Sequence, residues 1–128
     1  MKARLALRIG KSPSGKLTVP SYKIQILDPA KQDLVEGYNF YEEQEPGIGR
    51  YFLDCLYADI DSLTEYAGIH PKEYFGFYWM QSKRFPFAIH YDVGEGLVSV
   101  YAILDCRQDP SRIQARMKWE WREKDQGI

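Results

Sequence analysis

Histidine and cysteine are scarce in this 128-residue chain, with two of each. His70 and His90 are too few and too far apart for a metal cluster. Cys55 and Cys106 lack both the number of a disulfide framework and the spacing of a metal site, so they are read as small buried apolar residues. No window approaches the ~18 apolar residues of a membrane helix, which excludes a spanning segment. The opening MKARLALRIGKSPSG holds no uninterrupted apolar run, because Arg8 breaks its one candidate. A secretory signal is therefore not expected, and the cytoplasm is the expected location. Repeats and low-complexity tracts are absent as well, and nothing calls for a cofactor.

What is present suits one compact domain with a real core: 45% hydrophobic residues and 15% aromatic, with ten tyrosines. The net charge of −1 hides a partition. Residues 1–27 carry six Lys or Arg and no acid, residues 28–106 carry five basic and fourteen acidic groups, and residues 107–128 carry six and four. Basic ends thus flank an acidic middle. If the ends converge, they form a cationic face that the total conceals.

The stretch from Lys83 to Arg112 organises the rest. Phe87–Val93 and Leu97–Leu104 are strand-forming runs joined by Gly94-Glu95-Gly96, which predicts a β-hairpin with a three-residue loop. Alternation puts Phe87, Ile89 and Tyr91 on one face, and Val98, Val100, Ala102 and Leu104 together on one face. On that pattern Tyr91 belongs to the core and His90 points outward beside Ala88. Upstream, Ser21–Leu27 alternates as a strand, and Asp28-Pro29 reads as a helix start with Asp28 as its cap. Ala30, Leu34, Tyr38 and Tyr41 form one stripe of a helix to about Gln44. Glu45-Pro46-Gly47 breaks it. A second helix runs from about Ile48 to Ala67, with Ile48, Phe52, Leu56, Ile60 and Leu63 on one face and Gly68 as its stop. Phe77–Arg84 is an aromatic strand whose Tyr78 and Trp79 face opposite ways, one core and one exposed. Ser111 to about Lys124 is a last helix with Ile113, Met117 and Trp121 on one side. Residues 1–20 are read as a short hairpin. Arg50 is expected to pair with a local acid, Asp54 or Glu45.

Four segments in this order resemble the RelE/ParE superfamily of toxin–antitoxin toxins, also known as plasmid-stabilisation proteins. They are Tyr38-Asn39-Phe40-Tyr41-Glu42, Pro46-Gly47-Ile48-Gly49-Arg50-Tyr51-Phe52, Lys83-Arg84-Phe85-Pro86-Phe87-Ala88-Ile89-His90-Tyr91, and Val98 through Pro110. The resemblance covers about residues 22–113 and implies an α+β, β-α-α-β-β-β fold, with a helical hairpin on a small antiparallel sheet. It divides the chain into an N-terminal extension (1–20), a toxin domain (21–113) and a C-terminal helical extension (114–128). It also implies a cognate antitoxin as partner and one of two targets: DNA gyrase for ParE-like members, or mRNA on the ribosome for RelE-like endoribonucleases.

Several positions bear on that choice. Ala88 stands where the nucleases place an arginine, Asp105 or Cys106 where they place a histidine, and Gln114 to Met117 offer no terminal His-Tyr. A pI of about 6.1 also suits RNA poorly, since phosphate contacts dominate such binding. The ParE-like reading is therefore preferred, with Arg84, Arg107 and Arg112 as target-binding residues and Tyr78 and Trp79 as antitoxin contacts. In the ribonuclease alternative the same three arginines and His90 would be catalytic. A third reading is a non-toxic scaffold that binds an antitoxin or self-associates. Trp119 and Trp121 project to different sides of the last helix, which leaves a homodimer open.

Overall fold

The computed structural model describes residues 21–126, and the expected hairpin in residues 1–20 lies outside them. The elements run β1 (Lys23–Ile26), α1 (Asp28–Gln44), α2 (Ile48–Asp61), a single turn α3 (Leu63–Tyr66), β2 (Lys72–Glu73), β3 (Phe77–Gln81), β4 (Phe87–Gly94), β5 (Leu97–Asp105) and α4 (Pro110–Gln126). The strands form one sheet in the order β1-β5-β4-β3-β2. The fold is α+β, as expected. The sheet is mixed rather than wholly antiparallel, because β1 enters beside β5 in parallel. The chain reaches that position by running from β1 straight into the helices.

The helical hairpin covers one face of the sheet. Phe52, Leu56, Ile60 and Leu63 from the second helical stretch meet Ala30 and Leu34 from α1. Ile89, Tyr91, Val98 and Val100 supply the sheet side. Burying each large side chain stabilises by roughly 1.5–3 kcal/mol, so this layer dominates the fold. The helices approach closely at two glycines. A methyl group on Gly37 would sit 2.5 Å from the Phe52 ring, and one on Gly49 would sit 2.8 Å from the Tyr38 carbonyl. Glu42 completes the junction, accepting from the N–H groups of Gly47 and Gly49 at 3.1 and 3.0 Å. A carboxylate suits those otherwise unsatisfied donors at the start of α2.

Several local expectations need correction. Asp28 does not cap α1: Leu27 holds that position without a side-chain bond, and Asp28 lies in the first turn. The second helix breaks at Ser62, whose hydroxyl donates to the Asp59 carbonyl at 2.6 Å and competes with the helical ladder. The β4–β5 connection is a two-residue turn, Glu95-Gly96, with positive φ at both (53° and 78°) and Gly94 paired to Leu97. Cys106 is exposed and Cys55 only partly buried, because Cys106 falls in the turn beyond β5.

The largest correction concerns β5. His90 pairs with Ala102 but Tyr91 pairs with Val100, so Tyr101 is an extra residue in the ladder. The bulge exchanges the two faces of the strand. Val98 and Val100 face the helical hairpin, and beyond the bulge Ile103 takes over that role. Ala102 and Leu104 face the other way, where they pack with Phe77, Ile113 and Met117 under α4. The four residues expected on one face thus serve two cores.

Gly37→Ala is expected to destabilise the fold by about 1–3 kcal/mol, as overpacking against Phe52 does. Adding Phe52→Leu should recover part of that loss in chemical denaturation. Additive losses would show that the contact does not govern helix spacing.

Candidate functional site

Register brings the predicted arginines to one end of the sheet. Phe87 pairs with Asp105, and Cys106 N–H donates to the Pro86 carbonyl at 2.8 Å. Arg84 and Arg107 therefore leave the same end, and Arg112 follows in the first turns of α4. They do not open on one cleft. Arg84 lines a shallow groove beside α2 with Lys83, Asp54 and Asp59. Its loop is tied down by the buried Asp59, whose carboxylate accepts from Ser82 Oγ at 2.7 Å and Lys83 N–H at 3.3 Å. Arg107 clasps Asp105 through Nε and Nη2 at 3.1 and 2.8 Å, which holds that carboxyl below its ordinary value. Part of its charge is thereby neutralised at a largely exposed position. Arg112 lines a cavity of about 370 Å³ between α1, β5 and α4. Neither Arg84 nor Arg112 forms an ion pair among the described residues, whereas Arg50 pairs with Asp54 at 3.1 Å as expected.

An unpredicted network forms one wall of the large cavity. Strand β1 ends opposite Val100, so the next residues of β5 have no neighbouring strand on that side. Asp33 of α1 supplies the missing partner, accepting from Ile103 N–H at 2.9 Å. Arg116 of α4 then binds both Asp33 oxygens at 2.9 and 2.8 Å, reaches the Tyr101 carbonyl at 3.3 Å and donates to Glu120 at 2.6 Å. Burial raises the carboxyls of Asp33 and Glu120 above their ordinary values, against the pull of Arg116. The network is thus costly to bury and valuable chiefly for fixing where α4 lies. A sequence signal existed. Asp33 interrupts the buried stripe of Ala30, Leu34 and Gly37, while Arg116 and Glu120 interleave with Ile113 and Met117.

His90 is not outward-facing. It is 3% exposed, because α4 covers the face of the sheet on which it lies. Burial, with the Arg116 charge second, pushes its pKa down to about 4. Tyr91 is fully buried as expected; Gly68 N–H donates to its hydroxyl at 2.9 Å, and the hydroxyl also hydrogen-bonds to His70 Nδ1. Tyr78 and Trp79 do face opposite ways, but both are half-buried rather than one being exposed. Tyr78 stacks on Tyr91 with centroids 5.2 Å apart, and Trp79 turns toward α4. On α4, Trp121 stacks on Phe75 at 5.6 Å and Trp119 is 50% exposed. None of the described helices is long and apolar enough to cross a membrane.

No family model matches the chain, and no curated protein does. Among solved structures it is similar to a chain of the chromosomal ParDE TA system from P. aeruginosa, at 18% identity and a TM-score of 0.60. The match spans 65% of this chain and 94% of the other. At that identity the likeness is one of fold.

Arg116→Met is expected to destabilise by about 3–5 kcal/mol at pH 7, since it strands two buried carboxylates. Its deficit relative to the parent should narrow from pH 7 to 5, as protons neutralise them in the variant. An equal deficit at both pH values would contradict the assigned charges. His90 predicts a separate trend. A lowered histidine pKa gives stability that is present above about 6.5 and lost as pH falls toward 4, here about 3 kcal/mol. Asp33 and Glu120 pull the other way, so parent and His90→Phe denaturation curves are compared. The parent should lose more stability on acidification.

Proposed function

We propose that this chain is the toxin of a type II toxin–antitoxin pair. It is ParE-like, acts in the cytoplasm by occupying a macromolecular target such as DNA gyrase, and is neutralised by a cognate antitoxin. The observation that carries this reading is the fold likeness, which takes in nearly the whole length of the ParDE system chain. It agrees with the four ordered segments seen in the sequence, whose residues do structural work here: Glu42 and Gly49 set the helical junction and Pro86 receives Cys106.

Binding rather than hydrolysis is favoured by the position of His90. A general base must reach the proton it removes, and this histidine lies beneath α4. Arg84, Arg107 and Arg112 are the proposed target contacts; Arg84 and Arg112 form no ion pair among the described residues, and Arg107 is paired with Asp105. Tyr78 and Trp79 are the proposed antitoxin contacts. The RelE-like ribonuclease and the non-toxic scaffold are the competing outcomes.

The purified chain is expected to inhibit supercoiling by gyrase, and its overexpression to arrest growth with filamentation. Arg84→Ala combined with Arg107→Ala should weaken inhibition at least about ten-fold, the loss of one or more charge-assisted hydrogen bonds. Melting temperature should change little, since both side chains are exposed. Ribosome-dependent mRNA cleavage abolished by Arg107→Ala would replace this reading with the ribonuclease. Antitoxin binding without toxicity would replace it with the scaffold.

A further inference from the structure

The sheet position beside β5 is taken by two different partners in turn. Strand β1 occupies it in parallel as far as Val100, and Asp33 then accepts from the Ile103 amide. Beyond that point the edge has no neighbouring strand. Cys106 N–H donates to the Pro86 carbonyl, so Cys106 and, two residues back, Leu104 turn their backbone groups toward β4. Ile103 and Asp105 turn theirs the other way, as the bond from Ile103 to Asp33 requires. The Ile103 N–H is engaged there, and the Asp105 carbonyl accepts from Gln108 N–H at 3.4 Å. The edge therefore presents the Ile103 carbonyl and the Asp105 N–H.

Those two groups select a ligand and its direction. An acceptor and a donor two residues apart match the N–H and C=O of one residue in a parallel strand. An antiparallel partner would instead need both groups of a single residue. The cavity of about 370 Å³ lies on this edge, with Ile103, Leu104 and Asp105 in its wall, and gives room for a short extended segment. A residue placed opposite Leu104 shares its face and points toward α4. Arg112 lines the cavity from α4 and forms no ion pair among the described residues, whereas Arg116 is engaged by Asp33 and Glu120. The next residue of the segment points toward α1, where the 52% exposed Phe40 lines the cavity. Asp33, Glu36 and Asp105 share the same wall, which disfavours a polyphosphate.

We propose that the open edge of β5 binds an extended peptide of a protein partner by parallel strand addition, with an acidic residue facing Arg112 and an apolar residue after it against Phe40. The N–H of the acidic residue donates to the Ile103 carbonyl, and its carbonyl accepts from the Asp105 N–H. This stands apart from the toxin reading. Peptide binding and gyrase inhibition are separate measurements, and either can fail alone.

The test titrates the full chain with acetyl-Ala-Glu-Phe-Ala-amide while amide exchange is followed by NMR. At saturation, exchange at Asp105 should slow at least about ten-fold and Ile103 should not change, since only the former gains a hydrogen bond. Methylating the glutamate nitrogen of the peptide removes its donor and should weaken binding about ten-fold, as should Arg112→Gln. Arg112 is exposed, and the methylated peptide leaves the protein unaltered, so neither arm depends on a damaged fold. Binding that tolerates methylation, binding that leaves Asp105 exchange unchanged, or no saturable response would overturn the proposal. So would an Asp105 amide already protected without peptide, because another part of the chain or a second copy would then hold the edge.

Discussion

A single inserted residue, Tyr101, determines how this sheet can be covered. In an unbroken strand, the apolar run from Val98 to Leu104 would commit its alternating residues to one side. With the bulge, the first half of β5 packs under the helical hairpin and the second half also feeds the layer beneath α4. Because β1 ends opposite Val100, the bulged segment is also an open strand edge. Open edges invite unwanted pairing and are usually blocked. Here Asp33 accepts from the Ile103 amide, and Arg116 clamps Asp33 while reaching the Tyr101 carbonyl. Strand edge, first helix and last helix meet at that carboxylate.

This arrangement decides which surfaces remain for a partner. One face of the sheet lies under the hairpin and the other under α4. Among the described residues, the sheet end carrying Arg84 and Arg107 is exposed, with Arg112 at the start of α4, as are the clefts along the borders of α4. Arg84 and Arg107 are borne by turns rather than strands, Arg112 by the start of α4, and those turns are fixed. Asp59 anchors the Ser82–Lys83 corner, and Asp105 both orders and partly neutralises Arg107. The proposed contact surface is thus rigid and only moderately cationic. Such a surface fits a protein target better than a polyanion, whose affinity grows with the number of phosphates neutralised.

Much of the fold was legible in the sequence because its signals are local. Period 3.6 revealed α1 and α2, Glu45-Pro46-Gly47 marked their junction, and turn glycines marked the β4–β5 hairpin. The bulge was not legible: Val98, Val100, Ala102 and Leu104 are all apolar, so alternation cannot show where the faces exchange. The burial of His90 was equally hidden. Its neighbours give no sign that a helix from the end of the chain covers them, and burial decided by a distant segment lies beyond periodicity. The arginines of the candidate site were visible as types near turns, but their separation into two clefts depends on how the helices pack on the sheet. Asp33 was the missed opportunity, since an acid within a buried helical stripe marks a tertiary partner.

The account is tested most directly by hydrogen exchange at the Ile103 amide. It lies beyond the end of β1, where an unpartnered edge amide would exchange rapidly. Acceptance by the buried Asp33 predicts exchange as slow as in the central β4–β5 ladder, and fast exchange in Asp33→Ala. Rapid exchange in the unmodified chain would contradict the account, because the strand edge, the clamp and the placement of α4 all require that bond.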